Sequence, residues 1–253
     1  MKIIPLSAFR DNYLWLLHAG PYAAVVDPGD AAPVVRYFAE HDLTLSAILV
    51  THHHADHTGG VAELKANFSA TVFGPATEGI SEIDIGVREG STVRIPGIEL
   101  QLAVLDVPGH TRGHVAYYGL STLFCGDTMF GCGCGRLFEG TAAQMWASLS
   151  KLAALPDDTR IHCAHEYTLA NIDFALAVEP GNAALSARSR DVAALRAQGL
   201  PSVPSTLAEE RQTNPFLRAA VPAVALAASK HVGKPLEAPG EVFAALRTWK
   251  DGF

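Results

Sequence analysis

The sequence predicts a layered α/β fold with a helical C-terminal region, and two patterns carry that prediction. Through the first two thirds, short apolar runs rich in Val, Ile, Leu and aromatic residues alternate with turn residues and with stretches of helical periodicity. From about Tyr167 the strand-like runs stop and Ala, Leu, Arg and Glu dominate. Sheets and helices stacked in layers are the stable way to bury elements that alternate like this.

The strand candidates are "YLWLLHA", "YAAVVD", "LSAILVT", "VRIPGIELQLAVLDV", "HVAYYGL" and "TLFCGDT", each short and β-branched or aromatic in character. Helices are expected in "AAPVVRYFAEH", with Pro33 suited to a first turn, and in "GGVAELKANF". A third is expected in "TAAQMWASLSKLAAL", opened by Thr141 as N-cap. In the tail, "TLANIDFALAVEP", "NAALSARSRDVAALRAQG", "STLAEERQ" and "EVFAALRTWK" read as helices, with Ser205 as the cap of the third and Ala208 where a capping box would place Glu. "GLPSVPS" is the one linker-like segment, and no repeat or low-complexity tract is visible. A mixed domain over residues 1–166 and a helical domain over 167–253 follow from the shift in character at Tyr167.

Composition excludes several function classes. The 253 residues are 49% hydrophobic and 18% charged, which suits a folded globular chain. Apolar stretches such as "VPAVALAAS" fall short of the roughly 20 residues a membrane-spanning helix needs. Arg10 and Asp11 interrupt the N-terminal segment where a signal peptide needs an apolar run, so a cytoplasmic protein with no membrane partner is expected. A net charge of −7 argues against nucleic acid, because phosphate binding rests on Lys and Arg. Cys125, Cys132, Cys134 and Cys163 are too few and too unevenly placed for a disulfide scaffold, and the Cys132-x-Cys134 spacing lacks the second pair of a zinc ribbon.

The chemistry concentrates in "THHHADHTGG", directly after "LSAILV". A strand ending there delivers its next residues to the carboxyl edge of a sheet, where α/β folds place ligands. Residues two apart in an extended segment project to one side, so His52 and His54 can grip one cation while Asp56 and His57 face a second. His53 points elsewhere. Further ligands are needed, and the sequence offers His110 in "LDVPGHTRGH", Asp127 in "TLFCGDTMF" and His165 in "RIHCAHEYT", each after a strand-like run. The expected grouping is His52, His54 and His110 on one cation, Asp56, His57 and His165 on the other, with Asp127 bridging. Two divalent cations, Zn first, are expected, although His and Asp ligands suit Zn, Fe and Mn alike. His18, His41, His114, His162 and His231 read as structural.

"VVDPGD", "THHHADHTGG", "PGHTRGH" and "CGDT" resemble the motifs of the metallo-β-lactamase superfamily, and "GCGRLFEGT", "HEYTLANIDFALAVEP", "STLAEERQTNPFLR" and the terminal "RTWKD" resemble its glyoxalase II branch. The resemblance runs from end to end. It implies an αββα sandwich whose C-terminal helical domain closes over the substrate. The seven residues grouped above fall on the family's ligands, and Asp27 of "VVDPGD" matches an aspartate that orients a ligand histidine. It implies cleavage of S-2-hydroxyacylglutathione, such as S-D-lactoylglutathione, to glutathione and a 2-hydroxy acid in methylglyoxal detoxification; a monomer is expected. Asp56 and Asp127 are the catalytic candidates, Asp56 to orient the attacking water. Tyr167, Arg247 and Lys250 match glutathione-binding positions of the family, and Arg136 and Phe138 stand where a lysine and a tyrosine are usual.

Arg136 keeps the charge of that lysine with a different geometry, and Phe138 removes one hydrogen bond worth roughly 0.5–1.5 kcal/mol. Ala164 replaces a glycine before the last ligand. Rival readings are a lactonase or β-lactamase on the same fold, or an iron-dependent persulfide dioxygenase; the glutathione-type segments of the last third argue against both.

Overall fold

A computed structural model describes residues 1–253, which pack as two compact units: residues 1–106 with 112–126, and residues 107–111 with 127–253. In the first unit, "KIIPLSA" and "NYLWLLHA" pair antiparallel as β1 (Lys2–Ala8) and β2 (Asn12–Ala19), and β2 continues antiparallel into β3 (Tyr22–Val26). From β3 the sheet turns parallel. Helix α1 (Ala32–Ala39) crosses over to β4 (Thr44–Leu49), then α2 (Ala55–Thr58) and α3 (Val61–Phe68) lead to β5 (Thr71–Pro75) and β6 (Ile85–Val87). Pro33 sits in the first turn of α1, where a missing N–H costs nothing. Parallel strands need such helical crossovers, and those helices bury Val34, Val61 and Leu64 with Val25, Ile48 and Val72 of the sheet.

The long run "VRIPGIELQLAVLDV" breaks at Pro96-Gly97 into β7 (Thr92–Arg94) and β8 (Gln101–Asp106). These join β9 (Val115–Gly119) and β10 (Thr122–Gly126) as an antiparallel meander. β1 and β5 carry no run singled out in the sequence. Pro5 and Pro75 break the apolar pattern there, and pairing with a buried neighbouring strand supplies what local propensity does not.

In the second unit, β11 (Met129–Phe130) and β12 (Gly133–Cys134) form a short hairpin. Next come α4 (Ala142–Ala153), β13 (Arg160–Cys163), α5 (Thr168–Val178), α6 (Ala183–Ala197), β14 (Ser205–Thr206), α7 (Leu207–Thr213), α8 (Pro222–Val232) and α9 (Pro239–Asp251). Thr141 caps α4 in a full capping box with Gln144, a contribution of about 1 kcal/mol. The cap of α7 is Thr206 and not Ser205: Thr206 accepts from Glu209 N at 3.2 Å, which places Glu at the N3 position that counting from Ser205 had given to Ala208. Ser205 is instead in β14, and its hydroxyl donates to the buried Glu210 at 2.7 Å. The helices close on an aromatic core in which Phe216 packs on both Phe174 and Phe243. Among these elements no helix is long and apolar enough to cross a membrane.

Candidate metal centre

The parallel register that sets Val26 beside Leu49 brings the carboxyl ends of β3 and β4 together, so Asp27 and the loop from Thr51 emerge side by side. Asp27 takes a left-handed backbone, φ 51°. Its carboxylate is buried and accepts from Thr51 N and Thr51 Oγ1, each at 2.7 Å, and lies 3.1 Å from His57 Nδ1. The Thr51 hydroxyl spends its proton on Asp27, so it can only accept from His52 Nδ1 at 3.1 Å. One carboxylate therefore places the proton on Nδ1 of two histidines and leaves Nε2 of each as a lone pair, the form that binds a cation.

His54 Nδ1 lies 3.0 Å from His52 Nε2, and His57 Nε2 lies 3.5 Å from Asp56 Oδ2. Asn12 Nδ2 donates to Asp56 Oδ2 at 3.0 Å, which fixes that carboxylate. His53 does turn away: its N–H donates to Glu78 at 3.0 Å and its ring meets the same carboxylate, whose other oxygen accepts from Gly113 N at 2.6 Å. His114, read as structural, is fully buried and stacks on His52 with centroids 4.6 Å apart. Gly29 is required here, since a Cβ would fall 1.8 Å from the Asp56 carbonyl oxygen.

The second unit holds His110, Asp127 and His165. The turn before His110 needs Gly109, at φ 154° with Met145 Cβ 2.8 Å from where a Cβ would stand. His110 Nδ1 donates to the Arg136 carbonyl at 2.9 Å, and because a carbonyl can only accept, the neutral ring keeps its lone pair on Nε2. That Nε2 faces Asp127 Oδ2 at 3.3 Å, while His165 Nε2 faces Asp127 Oδ1 at 3.4 Å. For His110 and Asp127, acceptor facing acceptor at this distance is what a bound cation resolves, and a carboxylate addressed on both oxygens is what a bridging ligand needs. The donor set, imidazole nitrogen and carboxylate oxygen, fits a divalent metal. His165 stacks on Tyr167, with centroids 4.7 Å apart and planes 3° from parallel, and Phe138 packs edge-on against His110.

A cavity of about 560 Å³ in this unit runs from His110 and Asp127 past Phe130, Phe138 and Tyr167 to Arg136, Arg247, Lys250, Asp251 and Phe253. All five residues expected to bind substrate line it. Arg247, however, is only 4% exposed: Nη1 donates to the Cys134 carbonyl at 2.8 Å, Nη2 to Asp251 at 3.0 Å, and the guanidinium lies over Phe216. Lys250 Nζ donates to the Ala170 carbonyl at 3.0 Å, and its pKa is lowered, first by desolvation and then by Arg247. Burial pushes the Cys132 and Cys163 thiols up to about 12 and raises Cys134 as well, so all are neutral and unreactive at physiological pH.

The hairpin that walls the cavity is held from behind by a buried charge network. Glu210, with no exposure, accepts from Arg188 (2.5 Å), Ser205 (2.7 Å), Cys132 N (2.9 Å) and Asn214 (3.0 Å). Asn214 also donates to the Gly133 carbonyl at 2.9 Å. Cys132 holds a left-handed φ of 54° that this clamp maintains.

Comparison with known proteins agrees with this arrangement. Residues 9–165 match the metallo-β-lactamase superfamily model and residues 166–253 match the model of the hydroxyacylglutathione hydrolase C-terminus. A hydroxyacylglutathione hydrolase of Methylobacillus flagellatus is 57% identical over 252 residues, covering 100% of this chain and 99% of that one. Another, of Nitrosomonas eutropha, is 51% identical over 253 residues, with coverage of 100% and 99%. Among solved structures, ETHE1 from Myxococcus xanthus is 28% identical, covers 99% of this chain and 98% of its own, and superposes with a TM-score of 0.66. The fold, with its C-terminal helical region, is that of the metallo-β-lactamases, and the superfamily and its His/Asp set point to a dinuclear metal site. By both models and by full-length identity, the chain belongs to the hydroxyacylglutathione hydrolases of the metallo-β-lactamase superfamily, and it is a hydrolase.

Proposed function

We propose that this chain hydrolyses S-2-hydroxyacylglutathione thioesters, S-D-lactoylglutathione foremost, to glutathione and a 2-hydroxy acid, and serves methylglyoxal detoxification as a cytoplasmic monomer. Residues 167–253 supply most of the substrate-binding surface in this reading. His52, His54 and His110 hold one divalent cation and Asp56, His57 and His165 a second, with Asp127 shared, zinc being preferred over iron or manganese. One observation carries the reading: the facing acceptors of His110 and Asp127, with His165 Nε2 beside the same carboxylate, open into a cavity whose other wall offers Arg136 and Lys250 to an anionic ligand. In a chain of net charge −7, that local positive charge suits the carboxylates of a glutathione thioester.

Bound divalent cations supply Lewis-acid polarisation of the thioester carbonyl and lower the pKa of water to about 7. The chain does the rest. Asp27 and Thr51 hold His52 and His57 as Nδ1–H tautomers, and the Arg136 carbonyl does the same for His110. Asp56, fixed by Asn12, accepts a hydrogen bond from the attacking water and aims it. Tyr167, Phe130 and Phe138 wall the cavity next to the ligand histidines and offer it apolar faces. Glutathione leaves as a thiolate of pKa about 8.5, so no protein acid is needed at that step.

The test is turnover of S-D-lactoylglutathione by the purified protein beside a lactone and nitrocefin. Thioester cleavage with neither of the others turned over is the expected result. Hydrolysis of the lactone or of nitrocefin without thioester cleavage overturns the reading.

A further inference from the structure

The cavity carries a carboxylate that an anion-binding site does not call for. Asp251 sits on its wall with 45% of the side chain exposed, and its Oδ1 lies 3.8 Å from Nε of Arg136, which is 66% exposed. Arg247 holds the same oxygen at 3.0 Å from a buried position. Because Nη1 is spent on the Cys134 carbonyl and its sulfur and Nε is buried without a partner, Arg247 presents little to a ligand and acts by fixing Asp251. Asp251 Oδ2 has no partner within the protein. The result is an exposed cation and an exposed anion side by side, with Lys250 next in sequence.

A free α-amino acid head group presents the complementary pair, a carboxylate and an ammonium on one carbon. The glutathione moiety has exactly one such group, at its γ-glutamyl end, and one isolated carboxylate, at its glycine end. Lys250 gives one of its three N–H bonds to the Ala170 carbonyl and keeps two for a carboxylate. Arg136 and Lys250 alone would accept any dianion of the right length; a carboxylate beside them repels a ligand that lacks an ammonium.

Resting on the glutathione reading above, we propose that Asp251 is a specificity-determining residue that accepts the α-ammonium of the γ-glutamyl end, with Arg136 taking the neighbouring carboxylate and Arg247 positioning Asp251. The metal centre is untouched by this contact, so it governs which thioesters are bound.

The test compares S-D-lactoylglutathione with its desamino analogue, the same thioester built on glutaryl-cysteinyl-glycine, using the metal-loaded wild type and Asp251→Asn. For the wild type, loss of the amine is expected to lower kcat/KM about tenfold through KM, the effect of one charge-assisted hydrogen bond. Asp251→Asn should lose about as much on the natural thioester and treat the two substrates within about twofold of each other. Asp251→Glu, which keeps the charge, should still discriminate. Competitive inhibition of the wild type by S-methylglutathione and its desamino analogue reads the same contact without any variant. Equal inhibition by the two, or full discrimination surviving in Asp251→Asn, overturns the proposal; so does an equal loss on both substrates, which would make Asp251 only a tether for the arginines. Failure of the wild type to cleave either thioester would instead bring down the glutathione reading, and this inference with it.

Discussion

Replacing Thr51 by Val removes one hydroxyl and keeps the shape of a side chain that is fully buried. That hydroxyl donates to Asp27 Oδ2 at 2.7 Å and accepts from His52 Nδ1 at 3.1 Å, so its loss frees His52 to carry its proton on either nitrogen. A ligand histidine that loses the partner on its other nitrogen binds metal about 10–100-fold more weakly, or ~1.4–2.8 kcal/mol. The Asp27 contact with His57, at 3.1 Å, does not pass through the hydroxyl and survives. The two cations should therefore respond unequally: the one held by His52 weakens by about 10–100-fold, and the other stays within about threefold of the wild type. Titration of the metal-free protein against a competing chelator resolves the two steps, with circular dichroism as the check on folding. Two binding steps that overlay those of the wild type, or that weaken together, refute the tautomer relay.

Stability should fall on acidification for a reason that is local to His162. Burial is the main cause that holds its pKa down at about 4 against an ordinary 6.5, so between those values the unfolded chain takes up a proton that the folded one refuses. Stability is thus full above pH 6.5 and drops by at most about 3 kcal/mol toward pH 4; urea unfolding of His162→Gln in the metal-free protein should lack that part of the slope. Lys250→Ala should raise KM for the thioester about tenfold with kcat little changed and stability unaltered, whereas Arg247→Ala should raise KM and also unfold at lower denaturant, because only Arg247 is buried. Glu210→Gln leaves the Arg188 guanidinium buried opposite a neutral amide, and urea denaturation should show a loss of about 3–5 kcal/mol; an unchanged midpoint would remove Glu210 as the anchor of the hairpin.

The parts of the site that the sequence makes legible are those coded by local pattern. Two-residue alternation after "LSAILV" separates His53 from His52 and His54, and the fold does turn His53 to Glu78. Pro33 and Thr141 mark helix starts because their effect is confined to one turn. What stays hidden is set by partners far along the chain. Thr51, Asn12 and Glu78 look like ordinary polar residues until the folding of the first unit brings Asp27, Asp56 and His53 to them. Glu210 and Arg188 lie in stretches whose charge reads as a solvated helix face, yet both are buried, Glu210 against a hairpin 78 positions earlier and Arg188 against Glu210. Arg247 and Asp251 are legible as charged residues of the last helix, but which is buried and which faces the cavity depends on the packing of Phe216 and Cys134.

The account depends on two cations sharing Asp127. The most direct measurement is the metal content of the purified chain after chelation and stepwise reloading, with thioester hydrolysis followed at each addition. Two equivalents bound per chain, with activity returning with the second and with Asp127→Asn retaining fewer than two, is the predicted result. Full activity with a single equivalent, or two equivalents held undiminished by Asp127→Asn, would contradict it.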